Sequence, residues 1–410
     1  MADSNCSRTK RFDLQLAVTL SLLLQTLVSL IVACIPIVAP AVASDRGWSV
    51  RLVTLYPTIL YIAAFFVSFG VPHLLRVMGG MGLSVGCLTL SAVGLLCLLS
   101  PEIALVAGVS LTAGIATASM NPASSQVLGS RTTSRNAAFV MSVKQTGVPL
   151  GGVLAGILVP VLVTWFTWRG AVLALFATGI VMALLLIPVA RWIDAAAKST
   201  WSASYRPLAP VKELLATPNM PPILVASFFF TAMQMCLRTF FTIYLVSELR
   251  LSLVAAGLAF SVSQAAGIIG QVGWATVADR LLSTRWVIIL IGLLMITAAG
   301  LTATMTVNWP MYAVIAVAAA FGLSASAFVP IVLGEIARRA SPGSVGALTS
   351  GIQMFILAGA IVGPLVFGAI ASRFGFPGAF IAMAGCTLVV PLVLILPAGV
   401  FHGKWETGAG

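Results

Sequence analysis

The 410 residues are 60% hydrophobic and 8% charged, with a mean hydropathy of +1.09 and a formal net charge of +12. So little polar surface cannot solvate a water-soluble fold of this length, and the composition places the chain in a lipid bilayer. The positive excess would point to nucleic acid in a soluble protein; in a membrane protein it is explained by Lys and Arg gathering in cytoplasmic loops, and no nucleic-acid partner is expected.

The chain starts with a polar, basic stretch, Met1 to Arg11. The first apolar run continues well past signal-peptide length without a clear cleavage site, so it is expected to be a retained helix. Runs long enough to cross a hydrocarbon core of about 30 Å recur along the chain. Their limits are 14–40, 52–72, 80–100, 102–126, 137–161 and 170–190, then 221–246, 252–277, 286–306, 310–334, 346–370 and 377–398. The expectation is an all-α membrane protein of twelve transmembrane helices in two six-helix bundles. The bundles cover 1–190 and 220–410, and the polar stretch 191–219 joins them as a cytoplasmic linker.

With the N-terminus inside, fifteen Lys and Arg residues fall on cytoplasmic segments and five (Arg46, Arg51, Arg169, Arg250 and Arg373) on outer loops. That asymmetry puts both termini in the cytoplasm. Trp48, Trp165, Trp168, Trp192, Trp286 and Trp309 stand near span ends, where indoles favour the interface. The short loops and sparse charge have a bacterial style, with the inner membrane as the expected location. The six cysteines show no metal-ligand spacing and no disulfide framework.

The two halves repeat. Pro122 and Pro330, Arg131 and Arg339, Gln145 and Gln353, and Gly151 and Gly359 are each 208 positions apart, as are Gly170-Ala171 and Gly378-Ala379. Several pairs at one offset argue for a parallel duplication, a plan used by transporters with halves related about the membrane normal.

Two motifs add to this. After the eighth span stands Gly273-Trp-Ala-Thr-Val-Ala-Asp279-Arg280, followed by Arg285; its first-half counterpart, Gly70-Val-Pro-His-Leu-Leu-Arg76, keeps the glycine and arginine but lacks the aspartate. The fifth span carries Gly147-Val-Pro149-Leu-Gly151-Gly152. With the twelve spans and central linker, the first motif resembles the Asp-Arg loop of the major facilitator superfamily. The second resembles the family's antiporter-type Gly-Pro-x-x-Gly-Gly motif with its Gly-Pro pair interrupted, which leaves the direction of transport open. The resemblance implies secondary active transport through a central cavity lined mainly by spans one, four, seven and ten. It also implies a gating role for Asp279, Arg280 and Arg285.

Only two charged side chains sit deep within the apolar runs, Lys144 and Arg238, and no carboxylate lies at similar depth. A charge at the bilayer centre costs about 2.5–3.5 kcal/mol even on mild insertion scales, so such groups usually face a wet cavity or a partner. An anionic substrate would supply that partner. Arg238 offers a planar fork and Lys144 a compact charge with three donors; Gln234 shares a helical face with Arg238. Snorkelling of Arg238, and reach of Lys144 to the cytoplasmic interface, are the structural alternatives.

Gln25, Tyr56, Tyr61, Asn121, Gln145, Gln264 and Gln353 are further candidates for substrate contact, against the alternative of interhelical hydrogen bonding. Gly147, Pro149, Gly151 and Gly152, with Gly363 and Pro364, read as hinge and packing elements. The aromatic run of span seven (Phe228, Phe229, Phe230, Phe240 and Phe241) is either packing or an apolar wall beside Arg238.

No catalytic constellation, phosphate loop or zinc spacing is present, so neither an enzyme nor a cofactor is expected. The function that follows is transport of a small carboxylate-like organic anion by alternating access, coupled to protons or run as anion exchange. The alternative is a multidrug efflux antiporter for neutral or acidic compounds.

Overall fold

The computed structural model describes residues 2–47, 50–100, 102, 104–133, 135–195, 208–251, 253–341 and 344–395. Every regular element among them is helical, as a bilayer demands, because no water is available there to satisfy open backbone groups. In chain order the α-helices are α1 (Ala2–Arg46), α2 (Val50–Ser68), α3 (Val71–Met78), α4 (Gly80–Leu95), α5 (Ala104–Gly129), α6 (Ala137–Gln145) and α7 (Gly147–Ala195). They continue with α8 (Ala209–Ala216), α9 (Pro221–Ser247), α10 (Leu253–Arg280), α11 (Thr284–Thr304), α12 (Met311–Ala325), α13 (Phe328–Arg339), α14 (Val345–Thr387) and α15 (Val389–Ile395). Eight helical segments among the described residues are long and apolar enough to cross a membrane, nine if the bent pair Tyr56–Ser68 and Val71–Met78 is one span.

Two of those segments are broken. In α7 the backbone reverses at Thr167 (φ 63°, ψ 172°), and in α14 at Gly375 (φ 71°, ψ 174°). Both breaks fall in gaps between predicted spans, and they are 208 positions apart, the offset of the sequence repeat. The local surroundings repeat too. A Cβ on Gly170 would strike the Cβ of Phe166, and one on Gly378 would strike that of Phe374.

Three stretches differ from the sequence expectation. The segment after the second predicted span is helix α3 rather than loop, bent 68° from the preceding helix, with proline in its first turn where a missing N–H costs nothing. The tenth predicted span is split where α12 stops at Ala325 and α13 starts at Phe328, just before Pro330. The expected linker 191–219 begins as the last turn of α7 and includes the short helix α8, while 196–207 lie outside the described residues.

The chain forms two compact units. The first comprises residues 1–208 with 333–357, the second 209–332 with 358–410. In the first unit, α7 lies so close to α1 that a Cβ on Gly151 would run into the Thr26 carbonyl and the Ser29 side chain. Gly147 makes the same approach, with its notional Cβ 2.9 Å from the Cβ of Gln25. Segment 333–357 packs here as well: Gly334 abuts Ala138, and the Gly346 N–H donates to Gln126 Oε1 at 2.7 Å. The second unit repeats the helix-on-glycine contact. Gly363 of α14 would place a Cβ 2.6 Å from Ala232 Cα on α9, and Gly359 would meet the Phe228 carbonyl.

Hydroxyls in these apolar helices bond back to the preceding turn, as Ser84 does to Gly80, Ser124 to Met120, Ser227 to Ile223 and Thr302 to Ala298. That satisfies these donors within their own helices, whereas the hydroxyls of Ser21, Ser91, Ser125 and Thr349 are buried without a partner among the described residues. The second unit is centred on aromatic rings. Phe240 stacks on Phe367 at 4.5 Å, while Phe241, Tyr244, Phe321 and Phe380 are fully buried around them. Of the aromatic run of α9, Phe241 and Phe230 are core, and Phe228, Phe229 and Phe240 are half-buried. Phe230, also fully buried, meets Phe328 edge-on at 5.5 Å.

Candidate functional site

Lys144 occupies the last turn of α6, and its side chain is completely buried. The helix ends one residue later because Pro149 cannot donate to the carbonyl of Gln145, and the chain restarts at Gly147 as α7. The Lys144 ammonium donates to Asn121 Oδ1 at 2.7 Å and to Gln145 Oε1 at 3.2 Å. Both acceptors are neutral. An ammonium has three N–H donors, so one remains uncommitted among the described residues. The side chain reaches no exposed surface.

Asn121 is placed by α5, immediately before the helix-interior Pro122. Gln145 is buried beside Lys144, and its amide repeats in the second half as Gln353. Gln25 approaches from α1, packed over Gly147 one turn beyond Lys144. It is 6% exposed, and its Oε1 has no hydrogen-bond partner. The first unit thus brings together four of the sequence candidates, Gln25, Asn121, Lys144 and Gln145. Their common feature is a buried cation faced by amide oxygens and no carboxylate.

The remaining candidates are distributed otherwise. Tyr56 is buried and donates through Oη to the Val32 carbonyl at 3.2 Å, a bond from α2 to α1. Tyr61 packs against the buried group Ala64, Ala118 and Leu357. Gln353 is 3% exposed on the part of α14 that belongs to the first unit, and its Oε1 is unpaired.

In the second unit Arg238 is half-buried and makes no hydrogen bond or ion pair among the described residues. Gln234, one turn earlier on α9, donates weakly to Ser326 Oγ at 3.4 Å, in the gap between α12 and α13. Gln264 is half-buried on α10. Asp279 is half-buried at the end of α10, with Arg280 and Arg285 exposed beside it. Gly152 is exposed with open space where a Cβ would stand, so Gly147 and Gly151 make the close approach to α1 without it. Pro149 and Pro364 are half-buried.

Sequence reasoning missed the groups that hold the ends of the helices. Asp194, in the last turn of α7, accepts from the backbone N–H groups of Met81 at 3.0 Å and Gly82 at 2.7 Å. It thereby caps α4 from a different helix. Arg131 is tied to Asp13 at 3.0 Å, and its repeat partner Arg339 to Glu335 at 2.5 Å. Glu335 also accepts from Arg338 at 2.8 Å. The pairing of Arg339 with Glu335 is an i, i+4 spacing visible in the sequence; Asp194 and Asp13 are separated from their partners by more than a hundred residues.

The family model described as Major Facilitator Superfamily matches residues 21–317 and 223–408. No curated protein matches the chain. Among solved structures, the human organic anion transporter MFSD10 (TETRAN) is similar with a TM-score of 0.72 at 15% identity, covering 94% of this chain and 99% of that one. A bacterial homologue of the iron transporter ferroportin, in an outward-facing state, gives a TM-score of 0.76 at 15% identity over 92% and 98%. The E. coli fucose:proton symporter FucP gives 0.68 at 15% identity over 94% and 99%. At such identities these likenesses speak for the fold.

Proposed function

The chain belongs to the major facilitator superfamily, and we propose that this secondary transporter, which is not an enzyme, carries a small carboxylate-like organic anion by alternating access. On this reading twelve spans cross the bacterial inner membrane, with both termini cytoplasmic, as two six-helix bundles over 1–190 and 220–410.

The observation that supports an anionic cargo is Lys144. Its charge is wholly buried, and its hydrogen-bond partners are two neutral amides. Burying an ion without a counter-ion is costly, and attraction in a low-dielectric setting offsets that cost only when an opposite charge is close. A carboxylate taking the uncommitted N–H would supply that charge. The unpaired Gln25 amide oxygen nearby gives a polar end for a hydroxyl or amide on the same solute. Arg238, the other cation within an apolar run, is assigned as an anion contact of the second unit, and Asp279, Arg280 and Arg285 as the gate.

The test is flux in liposomes. Wild-type protein and Lys144→Gln are reconstituted and given labelled monocarboxylates, dicarboxylates and sulfonates, with and without a pH gradient. The expected result is at least a hundredfold loss of flux in Lys144→Gln with unchanged insertion. Equal flux at unchanged KM would overturn the reading. Stimulation by the gradient marks proton coupling, and stimulation by internal anion marks exchange. The efflux alternative rests on the aromatic part of α9, of which Phe230 and Phe241 are buried in the second unit's core and Phe228, Phe229 and Phe240 are half-buried.

A further inference from the structure

A second feature of the first unit is a cavity of about 710 Å³ near the end of α7, lined by Arg76, Arg131, Arg191 and Asp194 with backbone from the start of α4. Its charge does not cancel. Three arginines and one aspartate leave +2, and Asp13, bound to Arg131 from outside the lining, brings the group to +1. The Asp194 carboxylate also lines the cavity, with its two oxygens accepting from the N–H groups of Met81 and Gly82, so its charge is partly answered by the start of α4.

Arg131 is fixed in place. It donates to Asp13, to the Val127 carbonyl at 3.0 Å and to the Ile193 carbonyl at 3.3 Å. Arg191 is the opposite case: it is exposed and makes no hydrogen bond or ion pair among the described residues. One held guanidinium and one uncommitted guanidinium on the same cavity suit a planar, multidentate acceptor. Phosphate oxygens are matched by that geometry better than by lysine.

The rim is apolar. Val77 is 70% exposed and Met78 42%, both on the lining, and Trp192, next to Arg191, is 58% exposed. A basic pocket bordered by exposed aliphatic groups at a span end has the make-up of a headgroup site at the membrane interface. On the proposed orientation this face is cytoplasmic. The volume is ample for a phosphate ester with its glycerol.

We propose that this cavity binds a phosphate ester of the chemistry shared by an anionic phospholipid headgroup and a soluble glycerophosphate. The site is separate from the Lys144 cluster and does not depend on which substrate is carried.

The test uses the full chain in detergent, with native mass spectrometry and thermal shift. The probes are phosphatidylglycerol, phosphatidylcholine and glycerol 3-phosphate. Arg191→Gln is the primary variant, Arg76→Gln/Arg191→Gln the second, and Lys212→Gln, exposed on α8, the control. Phosphatidylglycerol is expected to bind at least fivefold more tightly than phosphatidylcholine, with the preference lost in both site variants and kept in the control. That outcome alone identifies a lipid. A response to glycerol 3-phosphate that also depends on Arg191 identifies the soluble ester instead, and the site stands. Equal binding of the two lipids with no response to glycerol 3-phosphate overturns the proposal, as does a preference that survives the double variant.

Discussion

Thr167 and Gly375, 208 positions apart, hold nearly the same left-handed backbone conformation at the break within α7 and α14 respectively. One half uses glycine for this reversal and the other a β-branched residue. For a threonine this φ is a sterically disfavoured state that persists because the flanking helices dictate it.

Thr167 is exposed, so its side chain contributes little packing to weigh against that strain. Thr167→Gly is expected to stabilise the protein by about 1 kcal/mol. Gly375→Thr should destabilise it by about 1–3 kcal/mol. Thermal unfolding in detergent measures both, and opposite signs at the two sites are the expected signature.

Asn121→Asp would set a carboxylate where the Lys144 ammonium now meets a neutral oxygen at 2.7 Å. A resident counter-ion competes with the cargo for the same cation. KM for the transported anion is expected to rise at least tenfold while the unfolding temperature rises. Concentration-dependent liposome flux on the folded variant measures the first effect, and a KM that does not move counts against Lys144 as the anion contact.

The glycines of α7 divide by what faces them. Gly151→Ala drives a methyl into the α1 backbone, at a cost of about 1–3 kcal/mol. Gly152→Ala meets open space and should gain most of the roughly 0.8–1.0 kcal/mol that alanine holds over glycine in a helix. Expression level and unfolding temperature of the two variants give the comparison.

Two carboxylates at helix ends should separate stability from cycling. Asp194→Asn weakens a charged cap on α4 and is expected to destabilise by about 1–2 kcal/mol. Asp279→Asn, at the proposed gate, is expected to slow turnover severalfold with an unchanged order of substrate preference. A reordered preference would argue against a gate at Asp279.

What was legible in the sequence follows from how local its signals are. Apolar run length marked the eight or nine membrane-length segments found among the described residues but not their breaks, and the fixed offset marked the repeat that Thr167 and Gly375 share in backbone form. Lys144 stood out because a lone cation in an apolar run is conspicuous at once. Its bond to Asn121 did not, since 23 residues and a helix end intervene and any nearby amide would have served. The glycine motif announced close packing on α7, but spacing alone does not say which face meets α1, and Gly152 proved to point elsewhere. Asp194 was hidden for a related reason. Its partners are backbone amides more than a hundred residues away, which have no residue-type signature.

The lone ammonium of Lys144 has an electrical corollary. Once a monovalent cargo is seated on it, the pair is neutral overall and the membrane voltage has no net charge there to pull on. An unladen, protonated form carries a unit charge, worth about 2.3 kcal/mol per 100 mV for a complete crossing. Whatever fraction of that field Lys144 traverses, voltage would therefore act on this group in the empty return stroke rather than in the delivery stroke.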